Sequence, residues 1–498
     1  MDPVSAAAPA GAAGMRGGAA WSALNAGAGV LLPFMLFIFF ARSLPPALVG
    51  LAVLATSVAE IVKAFGLPGL YEALLQQQQD RLRCHQTVSA VMVICGAVLF
   101  GVYLLVIAAL PVLVPALHGN FWALAPVGLR IPLDLLTVQP QAALAQRLAY
   151  GRMALRSVVA NIGAGAIGIV LALAGHPFTG LIAYLVAQSA LIFITTAAGR
   201  GVLAAPVLRR SCLQAMRREG LAASVVRLVA AVNNTLDQIV VAGVIGSATL
   251  GFFNLGKRVE TTFITAASAF ATILFQPLFA VQHPAHRQVG LRRGLRLLTL
   301  LCGAPCAFML INAGPLVGLV FGRSWQAAAP VAAIMAGSGL VRALGSVHGA
   351  LLSVSARNRR LMRVTLASAS GGILAVLCLA PHGIVAVAVG LAIKNMAMTA
   401  WMARLTRTDL PRPLRAYAGV VAAPMLVMLA AALAGRMLAA ALPLAGTHAT
   451  LAGLALSGLC LAMAAAGLAL QAIGAAPVQS AFRRFRNRNI NLRRPVAP

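Results

Sequence analysis

Of the 498 residues, 60% are hydrophobic and only 10% charged, with a mean hydropathy of +0.90; soluble globular chains carry about 25% charged residues, so a water-soluble fold is excluded. The net charge of +30 invites a nucleic-acid reading, but that requires a basic face on a soluble domain, and no long polar segment supplies one. Seven scattered cysteines, none in a predicted external loop, exclude a disulfide framework and predict buried free thiols.

Residues 1–18 form an Ala/Gly-rich tail with a single Arg16. The apolar run that follows is too long for the core of a cleavable signal peptide and reads as a first membrane helix. Hydropathy predicts fourteen spans, near 19–41, 46–67, 87–112, 122–145, 153–174, 178–198, 220–243, 249–280, 294–312, 327–352, 362–380, 384–403, 416–435 and 449–472. The predicted fold class is therefore an all-α membrane protein of about 14 transmembrane helices. The second, fourth and eighth spans carry charges within them.

The arginines test this topology independently. Thirty of the 39 basic residues fall in alternate segments: the tail with Arg16, the loops around Arg81, Arg147, Arg209, Arg292, Arg360 and Arg407, and the terminal stretch 483–494. The intervening loops hold only Arg42, Arg323 and Arg436. Cytoplasmic loops are enriched in Lys and Arg in this manner, so both termini are predicted to be cytoplasmic in a multi-pass protein of a bacterial inner membrane. The external connections are short, which weighs against a membrane glycan polymerase, ligase or acyltransferase. No enzyme activity is predicted.

The chain partly repeats. Pro46-Ala-Leu-Val-Gly50 after the first span aligns with Ser247-Ala-Thr-Leu-Gly251 after the seventh, an offset of 201 residues. Six helices per repeat is an even number, so both halves keep one orientation about a pseudo-two-fold axis along the membrane normal. Internal repeats of this kind place the substrate path at their interface. The predicted organisation is a cytoplasmic tail (1–18), an N-lobe (19–200), an inter-lobe segment (201–219), a C-lobe (220–408), two further helices (409–475) and a basic cytoplasmic tail (476–498).

Trp21-Ser-Ala-Leu-Asn25, Phe39-Phe-Ala-Arg-Ser-Leu-Pro45 and Val49-Gly-Leu51 resemble the opening of polysaccharide-transporter flippases. So do Asn234-Thr-Leu-Asp-Gln238, Leu250-Gly-Phe-Phe-Asn-Leu-Gly-Lys-Arg258 and Leu274-Phe-Gln-Pro-Leu-Phe279. These are the oligosaccharide-lipid exporters of the multidrug/oligosaccharidyl-lipid/polysaccharide (MOP) superfamily, and the resemblance covers roughly residues 15–410. One departure is Pro45-Pro46, where the family usually has an acidic residue. The resemblance implies two six-helix lobes around a central cavity working by alternating access. It also implies a polyprenyl-pyrophosphate-linked oligosaccharide as substrate, with membrane lipids, a polymerase and other polysaccharide assembly proteins as partners. A peptidoglycan lipid-precursor flippase and a multidrug/cation antiporter of the same fold are the alternatives.

Ten ionisable residues lie within predicted spans: Glu60, Lys63, Arg130, Asp134, Asp237, Lys257, Arg258, Glu260, Arg342 and Lys394. Each costs about 2.5–3.5 kcal/mol at the centre of a bilayer, so it faces a cavity or a partner. Glu60 with Lys63, and Arg130 with Asp134, have the spacing of internally satisfied helix pairs. Arg342 and Lys394 have no acid nearby in sequence. The candidate pyrophosphate-binding residues are Arg130, Lys257, Arg258, Arg342 and Lys394, since guanidinium groups suit bidentate phosphate contacts. Glu60, Asp134, Asp237 and Glu260 are candidates for ion coupling or charge pairing. Gly163-x-Gly165-x-x-Gly168 lies inside an apolar span with no preceding strand, so it reads as helix packing rather than a dinucleotide fingerprint. No metal set and no cofactor motif is predicted. With no phosphate-binding loop for a nucleotide, energy is expected from an ion gradient or the substrate gradient.

Overall fold

The structure, a computed structural model, describes residues 29, 32–76, 81–112, 119–147, 150–198, 203–281, 287–355, 358–407, 417–443 and 446–474. The 1–18 tail, the Trp21–Asn25 motif and the 476–498 tail lie outside these residues. All regular structure among the described residues is helical. A helix satisfies its own backbone polar groups, which is what a chain crossing hydrocarbon requires.

The first repeat contains α1 (Leu32–Ser43), α2 (Pro46–Ala64), α3 (Leu70–Gln76), α4 (Arg81–Ala109), α5 (Arg130–Gln146), α6 (Tyr150–Leu173) and α7 (Pro177–Ala197). Then follow α8 (Arg210–Val244), α9 (Ser247–Phe270), α10 (Gln276–Val281), α11 (Arg287–Phe321), α12 (Ala329–Val354), α13 (Asn358–Leu379) and α14 (Ile384–Leu405). The last two are α15 (Ala423–Ala440) and α16 (Gly446–Gly474). Among the described residues, twelve helical segments are long and apolar enough to cross a membrane. The shorter α1 and the charge-bearing α9 occupy the other two of the fourteen predicted spans.

Local signals place the helix starts. Proline stands in the first turn of α2, α7 and α12, where its missing N–H costs nothing. Gly246 and Gly383, at φ 115° and 93°, make the tight turns before α9 and α14, a conformation side chains disfavour. Three spans differ from expectation, among them α11, which overruns the predicted 294–312 at both ends. α8 begins at Arg210, well before the predicted span, and its 35 residues make it longer than the roughly 30 Å apolar layer. The predicted eighth span is interrupted by a π-turn at Ala271–Phe275 before α10. Of the seven free cysteines, Cys84, Cys212, Cys302 and Cys306 are buried, but Cys378 on α13 is exposed, contrary to expectation.

The chain divides into two compact units. The first comprises residues 1–282 and 317–406. The second comprises 283–316 and 407–498, and so groups most of α11 with α15 and α16.

Within the first unit the repeat is visible in the packing. α7 packs on α6 and α5, and their counterparts repeat this arrangement, α14 packing on α13 and α12. The repeats meet where α2 packs on α9. A Cβ on Gly50 would overlap the Ser247 carbonyl, and one on Gly251 would overlap the Pro46 carbonyl. Position 46 thus meets 251 while 50 meets 247, the reciprocal contact that a two-fold relation imposes. Gly251→Leu should force these backbones apart, at a cost of about 1–3 kcal/mol. Thermal unfolding of purified protein should show the loss. Gly243→Leu, at a position with open space around it, should behave as wild type, and equal behaviour of both variants would refute the contact's importance.

Contacts bridge the repeats at both ends of this unit. At the arginine-poor end, the Trp325 indole donates to the Ala41 carbonyl at 2.7 Å. Arg42 donates to the carbonyls of Val320 (2.7 Å) and Leu319, at the C-terminus of α11, where the helix leaves its last acceptors open. Trp325 is fully buried and packs edge-on to Phe37 and Phe252. At the arginine-rich end, α3 lies on α8. Arg227 pairs with Glu72, and the Gly69 amide donates to the Ser224 hydroxyl at 3.0 Å.

Candidate functional site

The ten ionisable residues predicted within spans all fall in the first unit, nine of them in two clusters. α2 presents Glu60 and Lys63, and α5 presents Arg130 and Asp134. The Lys63 ammonium lies 2.8 Å from both Glu60 and Asp134, and Arg130 lies 3.9 Å from Glu60. Arg130 also donates to the Ser189 hydroxyl at 3.3 Å. Two cations therefore meet two carboxylates across α2 and α5, and the cluster is neutral overall. Lys63 bridges both acids, so Asp134 is engaged from α2 as well as lying one turn from Arg130.

Beside this cluster is a cavity of about 280 Å³. Phe37, Val49 and Leu181 give it apolar walls, while Glu60, Arg130, Gln188 and Arg258 supply polar groups. Arg258 reaches it from α9. Its guanidinium lies 4.3 Å from the centre of the Phe37 ring and donates to the Asn254 side-chain oxygen at 3.1 Å. No carboxylate pairs with Arg258 among the described residues. Stacking on an aromatic face offsets part of the cost of holding such a charge away from water, and it leaves donors for an anion.

The second cluster joins α8, α9, α12 and α14. Lys257 pairs with Asp237, donating at 2.6 Å to one carboxylate oxygen and also contacting the other. Glu260, 3% exposed, accepts from Ser338 at 2.7 Å and from Asn395 at 3.0 Å. Arg342 lies 3.5 Å from the same carboxylate. Lys394 donates to the Ser368 hydroxyl at 3.3 Å and pairs with no carboxylate among the described residues. Its stem and ammonium pass beside Gly371 and Gly372. Three cations thus surround two carboxylates, and the space between them is only about 30 Å³. That holds about two waters, too little for a pyrophosphate in this conformation.

The structure therefore divides the predicted site residues. Arg130 and Arg258 share the larger cavity, while Lys257, Arg342 and Lys394 lie together in the smaller one. Arg342, which has no acid nearby in sequence, has one in space because Glu260 projects from the adjacent helix. Asp237 is held by Lys257. Sequence reasoning passed over Gln188, Asn254, Ser338 and Asn395. The signal available for them was a polar side chain within an otherwise apolar span. No group of three or more His, Cys, Asp or Glu among the described residues is arranged to hold a metal ion.

The sequence model of the family described as "Polysaccharide biosynthesis protein" matches residues 39–330. No curated protein matches the chain. Among solved structures, the chain is similar to the lipid II flippase MurJ in an inward closed conformation, with a TM-score of 0.72 and 11% identity. That match covers 91% of this chain and 99% of the other. An inward-facing multidrug resistance MATE family transporter of the MOP superfamily matches at TM-score 0.58 and 14% identity, covering 78% and 96% of the two chains. A MOP superfamily transporter from Pyrococcus furiosus matches at 0.55 and 12%, covering 81% and 95%. At such identities the likeness is one of fold, and the chemistry must be argued from the site.

Proposed function

Because this chain belongs to the polysaccharide biosynthesis protein family, as a multi-span membrane protein with a MOP transporter fold, we propose that it is a lipid-linked oligosaccharide flippase. It moves undecaprenyl-pyrophosphate-linked repeat units across the bacterial inner membrane by alternating access, serving O-antigen or exopolysaccharide assembly. Its arginine-rich loops and both termini are cytoplasmic, in keeping with the enrichment of basic residues on that side.

The observation that carries this reading is a pair of cations, Arg258 and Lys394, lacking carboxylate partners among the described residues in membrane-spanning helices. A cation at that depth is stabilised by an anion, and a pyrophosphate supplies one. Arg130 and Arg258 engage the phosphates in the larger cavity, whose apolar walls suit an amphiphile. Lys257, Arg342 and Lys394 form a second, closed anion site that opens with the change of conformation. Glu60, Asp134, Asp237 and Glu260 hold the remaining cations and are the groups through which an ion gradient acts. Cationic drugs fit such an arrangement poorly, because unpaired cations repel them.

Extraction of lipid-linked sugars from a deletion strain tests the proposal. In a strain without redundant flippases, repeat units should accumulate on the cytoplasmic leaflet and surface polymer should fall sharply. A glycan-modifying reagent added to intact spheroplasts should fail to reach the accumulated units. Normal polymer with no build-up would overturn the reading. Normal polymer with new sensitivity to cationic dyes would assign the chain to drug export, whereas arrest of peptidoglycan synthesis would make the peptidoglycan precursor the substrate.

A further inference from the structure

The second unit has a pocket of its own. Three helices frame it, and a buried polar chain ties them together. Asn312 of α11, 1% exposed, donates to the hydroxyl of Ser457 on α16 at 2.9 Å. Ser457, fully buried, donates in turn to the Ala432 carbonyl of α15 at 2.6 Å. Arg436, one turn from the C-terminal end of α15, completes the set by donating to the Ile311 carbonyl at 3.0 Å and to the Asn312 side-chain oxygen at 3.4 Å.

The Ile311 carbonyl is available for a definite reason. Its helical partner would be the N–H four residues on, and that residue is Pro315, which has none. One Arg436 nitrogen replaces the missing hydrogen bond. This explains why an arginine is held here, but it uses only that nitrogen. The other guanidinium N–H groups have no hydrogen-bond partner among the described residues.

Arg436 lines a cavity of about 360 Å³ whose other walls include Pro315, Leu442, Thr450 and Leu454. No acid pairs with it among the described residues. The segments of this unit contain a single acidic residue, Asp409, which precedes α15 in the chain, whereas Arg436 is near the helix's far end. Within this unit the pocket lies toward the end of α11 remote from Arg287, Arg292, Arg293 and Arg296, the end that the proposed topology makes extracytoplasmic. Asn312 and the Thr450 hydroxyl also line it but are already donating, to Ser457 and to the Gly446 carbonyl, so Arg436 supplies the spare donors among mainly aliphatic walls, which matches a phosphate carried on a hydrocarbon.

We propose that this pocket binds the phosphate of a lipid headgroup in the extracytoplasmic leaflet, with Arg436 as its anion ligand. Every residue lining it belongs to the second unit, and its ligand does not depend on what the cavities of the first unit carry.

The test must separate the two roles of Arg436. Pro315→Ala returns an N–H to the Ile311 carbonyl, so Pro315→Ala/Arg436→Gln loses the cation while keeping the helix hydrogen-bonded. Purified full-length protein would be titrated with dioctanoyl phosphatidic acid, dioctanoyl phosphatidylglycerol, farnesyl diphosphate, dioctanoylglycerol and inorganic phosphate, and thermal unfolding followed. Wild type and Pro315→Ala should be stabilised by at least one phosphate-bearing lipid, with affinity about tenfold or more weaker in the double variant. An Arg436-dependent effect confined to the phosphatidyl lipids assigns a phospholipid, and one confined to farnesyl diphosphate assigns an isoprenoid phosphate. Equal stabilisation by dioctanoylglycerol, equal affinity in the double variant, or an Arg436-dependent response to inorganic phosphate alone would each overturn the proposal.

Discussion

Arg258→Ala is expected to abolish most transport while leaving the protein in the membrane at near-normal amounts. The side chain makes one hydrogen bond, to Asn254, and one ring contact, with Phe37. Its removal therefore strands no buried carboxylate, and the packing loss is confined to one stacked contact. A phosphate bound in the cavity would lose a charge-assisted contact worth about 1.5–3 kcal/mol, roughly ten- to a hundredfold in affinity. Arg258→Lys keeps the charge but neither the planar fork nor the stacking, so its transport should fall between wild type and alanine. Leaflet-resolved transport of a labelled pyrophosphate lipid in proteoliposomes, with protein level measured in parallel, decides the matter. Full activity in Arg258→Ala would remove this residue from the substrate path. Loss of the protein itself would make Arg258 a structural group.

The same distinction explains what could be read before folding. Every charge in the two clusters was recognisable, because an ionisable residue within an apolar run stands out by composition alone. The partnerships were only partly recognisable. Glu60 and Lys63 are three apart on one helix and do pair. Asp134 also meets Lys63, 71 positions away, and Arg342 meets Glu260 from another helix. Spacing reports neighbours along one helix face and is silent about which helices adjoin. The repeat was legible because a backbone approach so close demands glycine at both Gly50 and Gly251, and a small residue leaves a mark in sequence. The role of Arg436 left no such mark. It depends on a carbonyl freed by Pro315 on another helix, a relation visible only when α11 and α15 are seen together.

Glu260→Ala should have the opposite character, with protein lost before transport can be judged. Glu260 accepts from Ser338 and Asn395 and faces Arg342. Without it, the surroundings of the smaller cavity would hold Lys257, Arg342 and Lys394 against Asp237 alone. Removing one partner of a fully buried ion pair costs about 3–5 kcal/mol; Arg342 is a third exposed, so the loss falls toward the lower end of that range. A loss of that size is a large share of the roughly 5–15 kcal/mol that holds a folded domain together. Glu260→Gln keeps an acceptor for Ser338 and Asn395 and should be less severe. Glu260→Ala/Arg342→Met removes both charges, and its accumulation should recover toward wild type, which a purely local packing defect at position 260 would not allow. Membrane abundance and thermal unfolding across this series are the measurements. Normal accumulation of Glu260→Ala would show that the carboxylate is not needed to hold the cluster. Recovery of folding in the double variant without recovery of transport would place the Glu260–Arg342 pair in the transport machinery, since both charges would then be missing from a cluster that still assembles.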